Sequence, residues 1–455
     1  LYAEEIPNGE GEPARYAYYP TAGLTLVYTC TGNAPVRGLY AASNGKLFAA
    51  SGTRLIELVP NGSGSFTETG LATLFTSANP VSMIDNSLTL MVVDGSTVGY
   101  AVDLPTSTPT SLSSATVGFY AADRVDYLDT YFVLNQTGTP QMFVSNSLST
   151  TFGVLDFANK SSASDLLTAV VAIRGELWLI GRNTSEVWTD SGATDFPFQK
   201  LAGVLVEHGC TAVYSIAKTD GSVFFLSNDL QGKGIVLRAS GYSAARISTS
   251  AIEASIAGYA VTDDARGFCY QQFGHTFYVL TFPTANATWV YDESSAHWHQ
   301  WERASANGSH DCHVASCFAQ YKGLALVGDS RNGNIYKLDP TVDTENTLPI
   351  SRNRSFPHSV AEGRRVTYRQ FSADVECGAT GGATPTISLS WSDDRGRTFG
   401  TPIVQNMAVG AVPTLTQPKW SRLGSARDRV WDLSWTAPTK TTLLGAFLDA
   451  EPCET

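Results

Sequence analysis

A short pattern recurs along the first three quarters of the chain: a strand, a tight turn, an apolar strand, a second turn and a third strand. It is clearest at residues 39–59, 169–190, 215–239, 269–293 and 316–339, with weaker copies centred on 88–98 and 131–144. The middle strands begin near residues 46, 88, 131, 177, 223, 277 and 324, a spacing in the range of about 40 to 50 residues that propeller repeats use. One small antiparallel sheet cannot bury both of its faces alone, so the copies must pack radially against each other. The pattern predicts an all-β chain built on a six- or seven-bladed β-propeller.

Composition agrees with that reading. Only 16% of residues are charged and 43% are apolar, while Gly, Ser, Thr and aromatic residues are plentiful, a balance that favours strands and turns over amphipathic helices. Very little helix is expected. The net charge of -12 and the isoelectric point near 5 argue against a protein that grips a nucleic-acid backbone, which takes clustered Lys and Arg. An acidic surface can instead let DNA slide past, or it can simply confer solubility. No run approaches the roughly 18 consecutive apolar residues of a membrane span, and no charged start followed by an apolar core reads as a signal peptide. A soluble protein without a membrane partner is expected, and because Leu1 falls inside a strand-like stretch, further residues are expected before it. Seven cysteines form no C-x-x-C pair; they read as small buried apolar residues, with at least one thiol unpaired.

The organisation falls into four parts. Residues 1–35 form an entry segment whose strand at 24–29 is a candidate to close a ring. The propeller occupies 36–340, with turn dipeptides at Asn44-Gly45, Asp94-Gly95, Asp220-Gly221 and Asn332-Gly333, where tight hairpins need positive φ. Residues 341–364 continue a polar stretch without periodicity and read as a linker or arm. Period-two alternation then returns at 366–377, 386–391, 430–436 and 443–448, so 365–455 reads as a small β-sandwich.

Few constellations carry chemistry. Ser392, Asp394, Gly396, Thr398 and Phe399 fit the S-x-D-x-G-x-T-W/F turn, the Asp-box of sialidases and other propeller glycosidases. Its physics is local: the Ser and Asp side chains bond turn amides, Gly396 takes positive φ and the aromatic is expected to anchor the hairpin on the core. It is a folding motif, and a glycosidase needs in addition a positioned carboxylate pair or a Tyr nucleophile. His310, Cys312, His313 and Cys317 are the densest possible metal ligands, but on a strand residues 310 and 312 share a face that 313 does not. Buried structural thiols are the simpler account, and no metal or cofactor is expected. His297-Trp298-His299 with Trp301 reads as an aromatic corner in the core or a stacking platform. No nucleophile elbow, phosphate loop, H-E-x-x-H or dinucleotide fingerprint is present, and no catalytic residue is assigned. Basic residues gather late, with Arg422, Arg427 and Arg429 standing out as candidates for contact with an acidic partner or a neighbouring copy.

The order of several segments resembles the packaged-DNA stabilisation proteins of short-tailed bacteriophages, the tail hub or nozzle subunits. The matching residues run through Tyr19-Pro20-Thr21-Ala22-Gly23-Leu24, Val36-Arg37-Gly38-Leu39-Tyr40, Leu326-Val327-Gly328-Asp329 and Gly333-Asn334-Ile335-Tyr336. They continue through Trp391-Ser392-Asp393-Asp394 and the stretch from Trp420 to Val430. Two positions depart from the family pattern: Ala22 stands where a proline is usual, and Arg395 where a glycine is common. The resemblance implies a non-enzymatic virion protein, a homo-oligomer of six copies docked on the head-to-tail adaptor below the portal. It would extend the DNA channel without sequence-specific binding, help retain packaged DNA, and carry tail fibre, tailspike or needle proteins. A propeller-type carbohydrate-binding or glycoside-hydrolase-like protein is the alternative.

Overall fold

The computed structural model describes residues 1–6, 15–62, 64–113, 115, 118–219, 221–232, 234–304, 310–378, 384–407 and 414–453; Asp220 of the expected Asp220-Gly221 turn lies outside them. The chain divides into two compact units, residues 26–291 with 312–337, and residues 1–25 with 292–311 and 338–455.

Seven sheets form the blades of a β-propeller, the first six antiparallel and the seventh carrying one parallel pairing, of Gly23–Thr29 with Thr344–Glu345. Their second strands are Leu47–Ser51, Thr89–Val93, Tyr131–Asn135, Glu176–Gly181, Ser222–Asn228, His275–Phe282 and Leu324–Asp329. Each begins within two residues of its position in the sequence pattern. The first six blades follow the chain in order, as in blade 1, where Val36–Ala41, Leu47–Ser51, Arg54–Pro60 and Phe66–Thr73 run from the innermost strand to the outermost. Blade 7 differs: after Ala315–Tyr321, Leu324–Asp329 and Asn334–Asp339, its fourth strand is Gly23–Thr29 from near the start of the chain. Cys30 N–H to Gly333 O (2.7 Å) and Thr29 Oγ1 to Asn334 Oδ1 (2.7 Å) join the two ends of the propeller sequence.

The continuous apolar runs of the second strands have a geometric cause. Successive side chains on a strand point to opposite faces, and in a propeller both faces meet a neighbouring blade. In blade 1, Leu47 and Ala49 pack in one cluster with Leu326 and Ile335 of blade 7, while Phe48 and Ala50 pack with Leu90 and Val92 of blade 2. Blade 2 repeats this, since Met91 and Val93 turn toward Phe132 and Leu134 of blade 3. Fully burying one such side chain contributes about 1.5–3 kcal/mol. The outermost strands meet solvent on one side and show it, as in Phe66–Thr73, whose residues are mostly half-buried or exposed.

The turn glycines serve two ends. Gly45 and Gly95 adopt φ of 82° and 81°, which a Cβ disfavours. Gly333 has no such φ; a Cβ there would sit 3.0 Å from Asn33 Cα and Cys30 O, so it allows the entering chain to pass close by.

The second unit contains a β-sandwich. One sheet is built on Val366–Cys377 and Thr441–Pro452, the other on Asp428–Trp435 and Thr386–Ser392. Tyr368, Phe371 and Val375 of the first meet Ile387, Leu389, Trp431 and Leu433 of the second in one buried core. The sandwich also recruits segments distant in sequence. Tyr2–Ile6 and Arg15–Tyr19 form a hairpin on the first sheet, with Tyr18 opposite Leu443. Arg352–Ser355 and Ser359–Val360 pair with Asp428–Trp435 in the second. The start of the entry segment and residues 352–355 and 359–360 of the expected linker or arm are therefore sheet components of the sandwich, which does not begin at 365, while Thr344–Glu345 and Leu348–Pro349 of the same stretch extend the sheet of blade 7, with Glu345 opposite Leu24. Polar strands at a sheet margin need no apolar alternation, which is why residues 341–364 read as a linker.

Ile335, fully buried and packed with Val27 and Tyr28 of the closing strand, tests the closure. Ile335→Ala is expected to lower unfolding free energy by about 2–5 kcal/mol, measured by urea denaturation; a loss below that of an exposed-site alanine control would show that this joint contributes little.

Candidate functional site

The innermost strands of all seven blades surround an axial cavity of about 270 Å³, reached by Leu39, Met83, Asp126, Val171, Lys218, Phe268 and Phe318, one from each blade in turn. Its walls are tied together by polar bridges between blades. The Lys218 ammonium of blade 5 donates to both Asp126 carboxylate oxygens of blade 3, at 2.9 and 2.7 Å, and to the Ala172 carbonyl of blade 4 at 3.3 Å. Asp126 also accepts the Ala172 N–H (2.9 Å). In the other direction, Arg124 before the inner strand of blade 3 donates to Ile216 O of blade 5 at 2.9 Å. Burial pushes the Arg124 guanidinium below its ordinary pKa, against the opposing pull of Asp126.

At the end of the channel where the inner strands begin, polar groups crowd together. Arg37 is 3% exposed and donates to Gly52 O, Asn79 O, Thr76 O and Thr76 Oγ1. Asp94 accepts the Thr76 N–H (2.9 Å) and hydroxyl (2.7 Å). Burial raises the Asp123 carboxyl above its usual range. These groups bridge blades rather than present free charge, and they are what a rigid ring needs where apolar packing gives out.

In the sandwich unit the polar side chains of the S-x-D-x-G-x-T turn bond within the turn. Ser392 Oγ accepts the Gly396 N–H at 2.8 Å, and Asp394 accepts the N–H groups of Arg397 (3.0 Å) and Thr398 (2.9 Å) and the Thr398 hydroxyl (2.6 Å). Gly396 adopts φ 84°, and Arg395 itself takes φ 67°, supplying the second left-handed position without a glycine. The aromatic half differs: Phe399 is 44% exposed, and Trp391 and Trp431 occupy the core side instead.

The three late arginines part company. Arg422 and Arg427 are exposed. Arg429, expected at an interface, is 2% exposed. Its guanidinium grips Asp393 through two bonds of 2.6 and 2.7 Å, donates to Leu423 O, and lies over the rings of Tyr368, Trp391 and Trp431 at 4.6–5.1 Å. Bidentate pairing and ring stacking let a guanidinium be buried, and from sequence its surroundings could not be told from those of Arg427 two positions earlier.

The possible metal ligands have separate occupations. His310 faces Glu302 at 3.3 Å, His313 Nδ1 accepts the Ala315 N–H, and Cys312 is buried. Among the described residues no group of three or more His, Cys, Asp or Glu converges as a metal site would. Trp301, 4% exposed, donates to His299 Nε2 at 3.2 Å, and burial holds His299 well below its ordinary pKa; Trp301 is core, whereas Trp298 and His299 are half-buried and His297 is exposed. The axial bridges were invisible in the sequence because Lys218 and Asp126 are 92 positions apart.

Two outcomes follow. Lys218→Met leaves the Asp126 carboxylate with only its backbone donors and is expected to cost about 1–3 kcal/mol, read by chemical denaturation, with part of the loss recovered in Lys218→Met/Asp126→Leu; full additivity of the two substitutions would dismiss the bridge. The Asp394 carboxyl, whose pKa is depressed by hydrogen bonds first from Ser392 and then from Thr398, stabilises the turn at every pH above the ordinary carboxylate range, and this contribution is lost only as pH falls through the lowered folded value. Its side-chain carbon signal is therefore expected to stay unchanged as pH falls through 4, where an unshifted aspartate titrates near 3.9.

The WD40 β-propeller domain of Doa1 is a similar solved structure, at 13% identity and a TM-score of 0.45, covering 69% of this chain and 97% of that one. No curated protein sequence matches the chain. The family described as bacteriophage P22 Gp10, β-propeller, a phage-stabilisation family, matches residues 13–343. That span runs from the first hairpin through the last blade, well over half of the sequence, and the chain belongs to this family of phage structural β-propeller proteins.

Proposed function

We propose that the protein is a structural subunit of a phage tail, a hub or nozzle that assembles as a ring below the portal and head-to-tail adaptor. The observation that carries this reading is the family match across the whole propeller. In this role the chain acts without catalysis, extends the DNA channel, helps hold the packaged genome and offers attachment for fibres, spikes or a needle.

The axial cavity bears on where DNA would run. It is about 270 Å³ and crossed by the Lys218–Asp126 and Arg124–Ile216 bridges, so a duplex cannot thread the propeller of one subunit. The conduit of this proposal therefore lies between copies, on the axis of a ring. A net charge of -12 suits its wall, because a basic lining would bind phosphates with release of counterions and retard the genome. Weak contacts suffice for assembly, since a symmetric adaptor multiplies them. Arg422 and Arg427, exposed on the sandwich unit, are the basic groups proposed to meet an acidic neighbour.

Electron microscopy of the protein alone and mixed with its adaptor is expected to show a closed ring whose central opening admits a DNA duplex. A monomer that ignores the adaptor would overturn the reading. Arg422→Glu with Arg427→Glu is expected to reduce ring assembly on the adaptor while leaving the thermal midpoint within a degree or two; unchanged assembly would remove these residues from the interface.

A further inference from the structure

Where the inner strands Ala217–Thr219, Arg266–Gln272 and Ala315–Tyr321 end, a second cavity of about 510 Å³ adjoins the axial one. Thr219, Gln271, Thr276 and Gln320 line it together with the rings of Tyr270 and Phe318. Lys218, Cys269 and Phe318 line both cavities, and the Lys218 ammonium in that shared wall is already neutralised by Asp126. The result is a cup at one mouth of a narrow, bridged channel. Its size falls within the roughly 300–1,000 Å³ of small-molecule sites.

The lining selects among ligand classes. An apolar ligand would strip water from two carboxamides and two hydroxyls without replacing their hydrogen bonds, which is costly. An anion would find one cation, and that one is held in an ion pair. A neutral polyhydroxylated ligand meets neither objection. Carboxamides and hydroxyls both donate and accept, as sugar hydroxyls do, while Tyr270, 4% exposed and stacked on Phe277, and Phe318, stacked on Phe268, pack the wall behind them. Gln271 and Gln320 are both exposed and line the cavity, and the bond that the Gln271 carboxamide donates to Thr276 Oγ1 is long at 3.5 Å.

From these features we infer that this cup is a binding site for a neutral saccharide, a role separate from assembly of the tail and from passage of DNA. The test uses the whole chain and saturation-transfer NMR with maltotriose, isomaltotriose, cellotriose, chitotriose and lactose as probes, and with 3′-sialyllactose and hexanol as anionic and apolar comparators. At least one neutral probe is expected to bind saturably. Gln271→Ala with Gln320→Ala is expected to weaken that binding about tenfold or more, the effect of one or two lost hydrogen bonds. Thr219→Val with Thr276→Val should act in the same direction, so a folding defect in one pair leaves the other to decide. Leu230→Ala, at a fully exposed loop tip of blade 5, should bind as the unaltered chain does. The inference is overturned if no neutral probe binds, if binding survives both substituted pairs, or if only the sialylated or apolar comparator binds.

Discussion

The propeller depends on one constraint: each blade's second strand is buried on both faces, and the two faces belong to different neighbours. Leu47 and Ala49 look toward blade 7 while Phe48 and Ala50 look toward blade 2. A polar substitution on such a strand therefore weakens one of two joints whichever way it points. The same constraint makes the ring cooperative, because no blade is complete until both neighbours are present, and the last gap is filled by Gly23–Thr29 from the other end of the propeller sequence. The joint between first and last blades is drawn together from opposite ends of the sequence, so its loop-closure entropy is the largest in the ring. Its hydrogen bonds, such as Ser316 Oγ to Val36 O at 2.7 Å, lie between residues 280 positions apart.

This explains why so much of the fold was legible. A strand buried on both faces is a continuous apolar run, and a run of that kind at a near-constant interval is visible without any alignment. The Asp-box turn was legible for a related reason: its hydrogen bonds span at most four residues, so the sequence holds all of the participants. The local motif did not foretell what its aromatic would do. Phe399 stays half in solvent because the register Trp391 opposite Trp431 already supplies rings to the core.

What was hidden is what depends on partners distant in sequence. Arg429 and Arg427 look alike as letters, yet Asp393, 36 positions away, turns one into a buried structural cation. The segment 341–364 looked unstructured because its strands are short and marginal; Arg352–Ser355 and Ser359–Val360 borrow their order from Asp428–Trp435, and Thr344–Glu345 borrows its order from Gly23–Thr29, rather than from any pattern of their own. Arg352 illustrates the point. Its side chain is 2% exposed, bonded to Ala437 O and paired with Asp343, and nothing in the polar stretch around it announces burial.

With both faces of the second strands committed to neighbouring blades, only the hairpin tips and the outermost strands are left free to specialise. The tips show it in their backbone. Arg174-Gly175, Phe273-Gly274 and Lys322-Gly323 each take two successive positive φ values, the geometry whose twist matches paired strands, with long side chains where Asn or Asp would be less strained. The outer strands show it in their exposure. Phe152–Asn159 of blade 3 leaves Val154 and Leu155 56% and 80% exposed, and Leu205 in the outer strand of blade 4 is 45% exposed. An isolated monomer normally guards such edges with charge, because an open strand invites pairing with another chain. A chain that leaves them apolar gains if a neighbouring molecule covers them, and that is the condition of a subunit in a larger particle. The feature that would be a liability in solution thus agrees with an assembled role, on grounds independent of the family match.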